Sequence, residues 1–309
     1  MKMNKPKFWD KQYITFFSVI LWPLSFFYQI LLSVKKSLSK NKKFSTPIIC
    51  VGNIYVGGTG KTSLSIKLNE ILNKNKIKSC FIKKYYKNQV DEQKILRKNG
   101  ELFISHKRVD AIEEAEKKNY DVAILDDGLQ DNSIKYDLNF VCFNTINWIG
   151  NGMTIPSGPL REKIENLRNY QHIFLNGNLE NLEFLKKQIL KINPRLIIHI
   201  GKYKPINLND FNKTQKYMAF SGIGNHQTFI SMLKNYGLNI SKHLEFPDHY
   251  QYNNIDIRSI LNEANKLNCK IITTEKDYFR LNNIYTKQIQ YIKTELQIID
   301  EEKLAKMII

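Results

Sequence analysis

One stretch limits what this chain can fold into. Residues 46–62 read TPIICVGNIYVGGTGKT. Ile48, Ile49 and Val51 form an apolar run of the kind found in a buried parallel strand. Gly57, Gly58, Thr59 and Gly60 follow, and glycines so placed let the backbone turn with its N–H groups facing inward. Lys61 and Thr62 then open a helix in which Leu64, Leu68, Ile71 and Leu72 keep helical spacing. Strand, glycine turn and helix in this order predict a phosphate-binding loop. The glycine amides cradle anionic oxygens, Lys61 reaches the β- and γ-phosphates, and Thr62 can ligate Mg²⁺. The usual G-x-x-x-x-G-K-[ST] pattern asks for glycine at position 55, where this chain has Tyr55. The plainer reading is a glycine turn before an ordinary helix. Lys and Thr directly after the last glycine favour the phosphate loop.

The rest of the chain reads as the sheet such a loop needs. Short apolar runs at 79–82, 102–105, 122–125, 140–143, 172–175 and 196–200 alternate with helical patterns, one of them opened by Arg108. That alternation predicts a parallel sheet covered on both faces. The 122–125 run ends in Asp126-Asp127-Gly128, and a strand-terminal Asp is where a phosphate-loop protein places its second magnesium residue. Either aspartate fits. Between the second and third runs lies a lysine- and tyrosine-rich segment leading to Asp91 and Glu92. Residues 150–162 are too rich in Gly and Pro for regular structure. Arg161, in that loop, is a candidate nucleotide clamp.

Composition shifts at 201–213, where Pro205 and several asparagines interrupt the pattern. A domain boundary is expected there, dividing the chain into an N-terminal helix at 1–44, a phosphate-loop domain at 45–205 and a smaller α/β domain at 206–309. The last part repeats strand and helix patterns around Gly222-Ile223-Gly224, the loop Phe246-Pro247-Asp248-His249-Tyr250 and Thr274-Glu275-Lys276-Asp277. Two glycines are too few for a dinucleotide fingerprint.

The formal net charge of +18 invites a nucleic-acid reading. The lysines, however, are scattered among many Asn and Ile residues, as biased base composition would produce. An anionic substrate or a membrane surface fits better, and no nucleic-acid partner is expected. The four cysteines show neither metal spacing nor a disulfide framework, which suggests a reducing cytosol. Near the start, Lys2, Lys5, Lys7 and Lys11 precede an apolar run at 14–32, and Lys35, Lys36, Lys40, Lys42 and Lys43 follow it. Pro23 sits inside the run, and Thr15, Ser18, Ser25, Gln29 and Lys36 form a narrow polar stripe. The flanking lysines favour both ends on the cytoplasmic side. An interfacial helix in the inner leaflet is expected, ahead of a spanning helix or a buried core helix. Such an anchor would be separable: deleting 1–36 would free the protein from membranes and spare ATP binding.

Taken together, VGNIYVGGTGKT, AILDDGLQ, GNGMTIPSGPLRE, AFSGIGNH, FPDHYQY and TTEKD resemble, in order, the motifs of the tetraacyldisaccharide 4′-kinases, the lipid A 4′-kinases of outer-membrane biogenesis. The resemblance runs from about residue 45 to 280, and that family too has a polar residue in the place of Tyr55. It implies transfer of the ATP γ-phosphoryl group to the 4′-hydroxyl of a lipid A disaccharide 1-phosphate. Cofactors would be ATP and Mg²⁺. Gly57, Gly58, Thr59, Gly60, Lys61, Thr62, Gln130 and Arg161 would bind nucleotide, with Lys61 also catalytic. Thr62, Asp126 and Asp127 would form the metal site. Asp91 would be the catalytic base, with His249 from the second domain orienting it or relaying its proton. The inner membrane, at its cytoplasmic face, would supply the lipid. Two departures stand out. Residues 82–87 replace the family's S-R-G-Y-G segment, and Asp131 replaces a histidine after DDG-x-Q. The rival reading is a membrane-surface phosphate-loop ATPase switch that binds a partner.

Overall fold

The computed structural model describes residues 5–86, 89–177, 181–248, 250–281 and 286–309. The chain forms two compact units, Met1–Gly201 with Ile298–Ile309, and Lys202–Gln297. The first holds α1 (Phe16–Leu38), β1 (Ile48–Gly52), α2 (Lys61–Lys74), β2 (Ser79–Lys84), α3 (Val90–Asn99), β3 (Leu102–Ser105), α4 (Arg108–Lys117), β4 (Val122–Asp126), β5 (Leu138–Asn144), β6 (His172–Asn176), α5 (Leu182–Ile192) and the start, to Gly201, of β7 (Ile197–Pro205). The remaining elements are β8 (Lys216–Ser221), α6 (His226–Asn235), β9 (Asn239–Glu245), α7 (Asn254–Lys266), β10 (Lys270–Thr274), α8 (Glu275–Tyr278), β11 (Ile289–Ile292), β12 (Thr294–Ile298) and α9 (Glu301–Ile308).

The larger sheet runs β12-β7-β6-β5-β1-β4-β2-β3, and β1 pairs in parallel with both β4 and β5. Every residue of β1 and β4 is buried, so both strands are continuous apolar runs rather than alternating ones, as a sheet covered on two faces requires. Strand order reverses at β1, because the chain passes to β2 on one side and returns through β5 on the other. A crevice opens at such a reversal beyond the strand C-termini, and ligands bind in it. The phosphate loop leaves β1 at that end. Leu64, Leu68, Ile71 and Leu72 of α2 are buried, each contributing roughly 1.5–3 kcal/mol of transfer free energy.

In the second unit β11-β10-β8-β9 is also parallel. Tyr217 and Ala219 of β8 pack with Phe229 and Leu233 of α6, and Met218 and Phe220 with Ile257 and Ile260 of α7. The alternation along one strand thus serves two helical layers. Asp277, from the TTEKD stretch, is fully buried. It accepts from Gly222 N at 3.0 Å, Tyr252 Oη at 3.0 Å, Thr274 Oγ1 at 2.6 Å and Arg280 Nη1 at 2.9 Å. Burial still pushes its carboxyl above the usual range, against the pull of Arg280. Among the described residues of this unit, these motif positions form a structural knot.

The division differs from the expected one at both ends. Residues 298–309 belong to the first unit, because α9 buries Leu304 and Ile308 and Glu301 pairs with Lys67 of α2 at 2.9 Å. The N-terminal helix belongs there too. Helix α1 passes through Pro23 without a break and buries only Ser18 and Ser25, whereas Phe16, Trp22, Phe27 and Leu31 are 57–75% exposed. Its amphipathicity is inverted, with the polar stripe facing protein. Ser25 Oγ donates to Thr154 O at 2.8 Å and accepts from Ser157 N at 3.0 Å, and Asn151 Nδ2 donates to Ser18 Oγ at 2.9 Å. A buried core helix is excluded by that exposure.

Candidate active site

At the C-terminal end of β1 the chain turns into the phosphate loop. Gly60 is the N-cap of α2 with φ 80°, and Gly57 has φ 138°. Both lie in the left-handed region that a Cβ disfavours. Asn53 holds the turn from inside, its Nδ2 donating to Gly57 O at 3.2 Å and Thr59 Oγ1 at 2.8 Å. Asn176, at the end of β6, donates to Thr59 O at 2.6 Å. Two strand ends therefore pin the loop at separate points. Gly58 completes the turn between them.

Tyr55, where glycine is usual, is buried. Its hydroxyl donates to Asp10, Lys5 Nζ lies 3.0 Å from it, and Lys5 pairs with Asp10 at 2.7 Å. Val56 N donates to Pro159 O at 2.8 Å and Arg161 N to Ile54 O at 2.6 Å. A tyrosine is used here because the phosphate loop carries the N-terminal segment on one side and the 150–161 loop on the other. Trp9 joins those two, Nε1 donating to Pro156 O at 3.0 Å and its carbonyl accepting from Asn151 N at 3.0 Å.

Asp126, which ends β4, and Asp127 after it take different partners. Asp126 is fully buried; Thr62 Oγ1 donates to its Oδ2 at 3.3 Å and Ser65 Oγ to its Oδ1 at 3.4 Å. Asp127 has φ 62°, a conformation Asp tolerates better than most side chains. This turns it toward Lys61 Nζ at 3.8 Å and Arg161 Nη1 at 3.0 Å. Burial alone would raise the Asp127 carboxyl, but Lys61, Arg161, Lys83 and Arg108 together hold it well below the usual carboxylate range. Gln130 braces the same corner, accepting from Arg161 Nη1 at 2.9 Å and donating to Asn53 O at 2.8 Å.

Two residues here, Lys83 and Arg108, were not among the site residues expected from the sequence. Lys83, at the end of β2, is 1% exposed and donates to Asp126 Oδ2 at 2.6 Å and Glu92 Oε2 at 2.7 Å. Burial draws its pKa down, and the two carboxylates more than reverse that, leaving it raised. Arg108 donates to Asp127 O at 2.5 Å and to Asp131 Oδ2 at 3.1 Å. Asp131 thereby secures an arginine against the Asp127 backbone. Asp91 lies beside Glu92 in the first turn of α3, so the segment from which the base was expected reaches this corner. His249 lies outside the described residues.

A buried hydroxyl and carboxylate facing one another, Thr62 and Asp126, are hard oxygen donors of the type Mg²⁺ takes alongside phosphate and water oxygens. Positive φ at two loop glycines and the cations Lys61 and Arg161 suit the phosphates themselves. The donor set fits a magnesium nucleotide.

The comparisons agree with this chemistry. The family model for tetraacyldisaccharide-1-P 4′-kinase, LpxK, matches residues 17–309. A tetraacyldisaccharide 4′-kinase of Pelagibacter ubique is 56% identical over 310 residues, covering 100% of this chain and 98% of the relative. One from Rickettsia canadensis is 33% identical over 329 residues, covering 100% and 97%. A crystal structure of the "apo" form of LpxK from Aquifex aeolicus in complex with ATP matches with a TM-score of 0.68 at 24% identity, over 94% of this chain and 98% of that one, and so shares its fold. With a phosphate loop facing a strand-terminal Asp-Asp pair and relatives matched along its whole length, this chain belongs to the tetraacyldisaccharide-1-P 4′-kinase family.

Proposed function

We propose that this chain transfers the γ-phosphoryl group of ATP to the 4′-hydroxyl of a tetraacyldisaccharide 1-phosphate, a lipid A precursor. The observation that carries the site reading is the pairing of Lys61 with Asp127 and of Thr62 with Asp126 across the phosphate loop. Phosphoryl transfer asks the protein for position and charge rather than covalent chemistry. Loop amides, Lys61 and Arg161 bind the phosphates, and Gln130 keeps Arg161 in place. Asp126 and Thr62 would hold Mg²⁺, which when bound would supply positive charge to offset that of the phosphates. Asp127 sets the direction of Lys61 and Arg161. Asp91 takes the proton of the 4′-hydroxyl, as a weak nucleophile requires. His249 assists on the strength of resemblance alone.

The test is to incubate the detergent-solubilised chain with γ-labelled ATP and tetraacyldisaccharide 1-phosphate. Labelled lipid is the expected product. ATP consumed at an equal rate without lipid would favour the ATPase switch, and stimulation by DNA or RNA would favour a nucleic-acid partner.

Helix α1 is read as lying in the cytoplasmic leaflet of the inner membrane. Among the described residues it is one helix long and apolar enough to cross a membrane by length and composition. Its serine stripe is occupied by protein, and basic residues flank both ends, as suits an anionic surface. The separability expected of a simple anchor does not follow, because residues 5–25 also pack against Tyr55 and the 150–161 loop. Deleting residues 1–38 is expected to abolish flotation with anionic vesicles and also to weaken ATP binding, measured by calorimetric titration. Continued flotation would count against the anchor, and wild-type ATP affinity against the coupling.

A further inference from the structure

The side chain of Lys83 is the third member of a buried ion triad. Its ammonium bonds Asp126 Oδ2 at 2.6 Å and Glu92 Oε2 at 2.7 Å, and that Asp126 oxygen is the one facing Thr62 Oγ1. Such triads are weak stabilising devices, since apolar side chains of equal volume often serve stability as well or better. What the triad supplies is geometry. Glu92 stands in the first turn of α3 directly after Asp91, and β2 pairs with β4, placing Ile82 beside Leu125. One cation thus ties the carboxylate opposite the phosphate loop to the helical turn that carries Asp91.

We propose that Lys83 is a positioning residue for phosphoryl transfer: by bridging Asp126 and Glu92 it aims Asp126 at Thr62 and holds the Asp91 turn beside the phosphate loop. The proposal rests on the reading of Asp91 as the base. Lysine suits the task because a single ammonium with three donors satisfies both carboxylates at once. Removal of Lys83 leaves two carboxylates facing each other across its place, so the α3 turn moves away.

The test uses the full chain in detergent, with ATP and tetraacyldisaccharide 1-phosphate as substrates. Lys83→Met is expected to lower kcat by about 10²-fold, the scale of an ångström-sized misplacement of a reacting group. The KM for ATP should stay within about threefold, because the loop and Lys61 still bind phosphate. Lys83→Arg should recover most of the loss, since a guanidinium can serve both carboxylates. Glu92→Gln, a conservative change, should lower kcat in the same pattern, and combining it with Lys83→Met should add little. Wild-type kcat in Lys83→Met overturns the proposal, as do parallel losses in kcat and ATP affinity without rescue by arginine. If Lys83→Met fails to fold, Glu92→Gln decides alone: normal kcat rejects the clamp. Asp91→Asn is assayed beside these. Full activity there removes the base assignment, whereas an inactive Asp91→Asn with a normal Lys83→Met removes only the positioning role.

Discussion

Lys61→Ala is expected to lower kcat by about 10²-fold or more, on the scale of a lost electrostatic contact to charge in the transition state. The chain should remain folded. Lys61 lies 3.8 Å from Asp127, beyond hydrogen-bond length. Asp127 keeps Arg161 at 3.0 Å and the Arg108 contact to its carbonyl, so no buried carboxylate is left without a cation. A large loss of turnover with little change in thermal midpoint is therefore the signature of a phosphate contact. Steady-state lipid phosphorylation and a melting curve on the same preparation make the measurement. Near-normal turnover would remove the phosphate-loop assignment.

The phosphate loop was legible because each of its parts lies within a few residues of the next. The run from Ile48 to Thr62 carries strand, turn and helix in one stretch, and its pattern owes nothing to distant chain. The Asp126-Asp127 pair was legible as a strand end, but not the division of labour within it. That division comes from the left-handed backbone at Asp127, which turns one carboxylate toward the cations and leaves the other facing Thr62. Lys83 was invisible for a different reason. It is one basic residue among the 47 lysines and arginines of the chain, and its acidic partner 43 positions on, Asp126, meets it only because β4 inserts between β1 and β2.

The N-terminal helix shows the same limit. Helical spacing picked out Ser18 and Ser25 as a polar stripe, but which surface they would meet depends on the loop at 150–158, more than a hundred residues away. The return of α9 to the first unit had the least signal of all. Its short apolar pattern is that of many terminal helices, and the ion pairs of Glu301 with Lys67 and Lys74 exist only once α2 is in place. Compositional shifts near Pro205 pointed at a boundary, and the units divide at Gly201, where the parallel register of β7 with β6 ends although β7 itself continues to Pro205.

Asp91→Ala is expected to cost about 10²–10⁴-fold in kcat, the range attributed to a positioned general base, with only a modest change in ATP affinity. Its place explains the asymmetry. Helix α3 reaches the phosphate-loop corner through Glu92 and Lys83 rather than through the loop itself. The protein loses a proton acceptor and keeps its phosphate contacts. The expected assistance from His249 is separable by kinetics. If the two side chains act as a unit, His249→Ala lowers kcat in the same way, and the double variant is little worse than the worse single one. Multiplicative losses would reject the pair while leaving Asp91 as the base. An Asp91→Ala enzyme turning over at the wild-type rate would reject both, and would move the search for the base to the other carboxylates of this corner, Glu92 first.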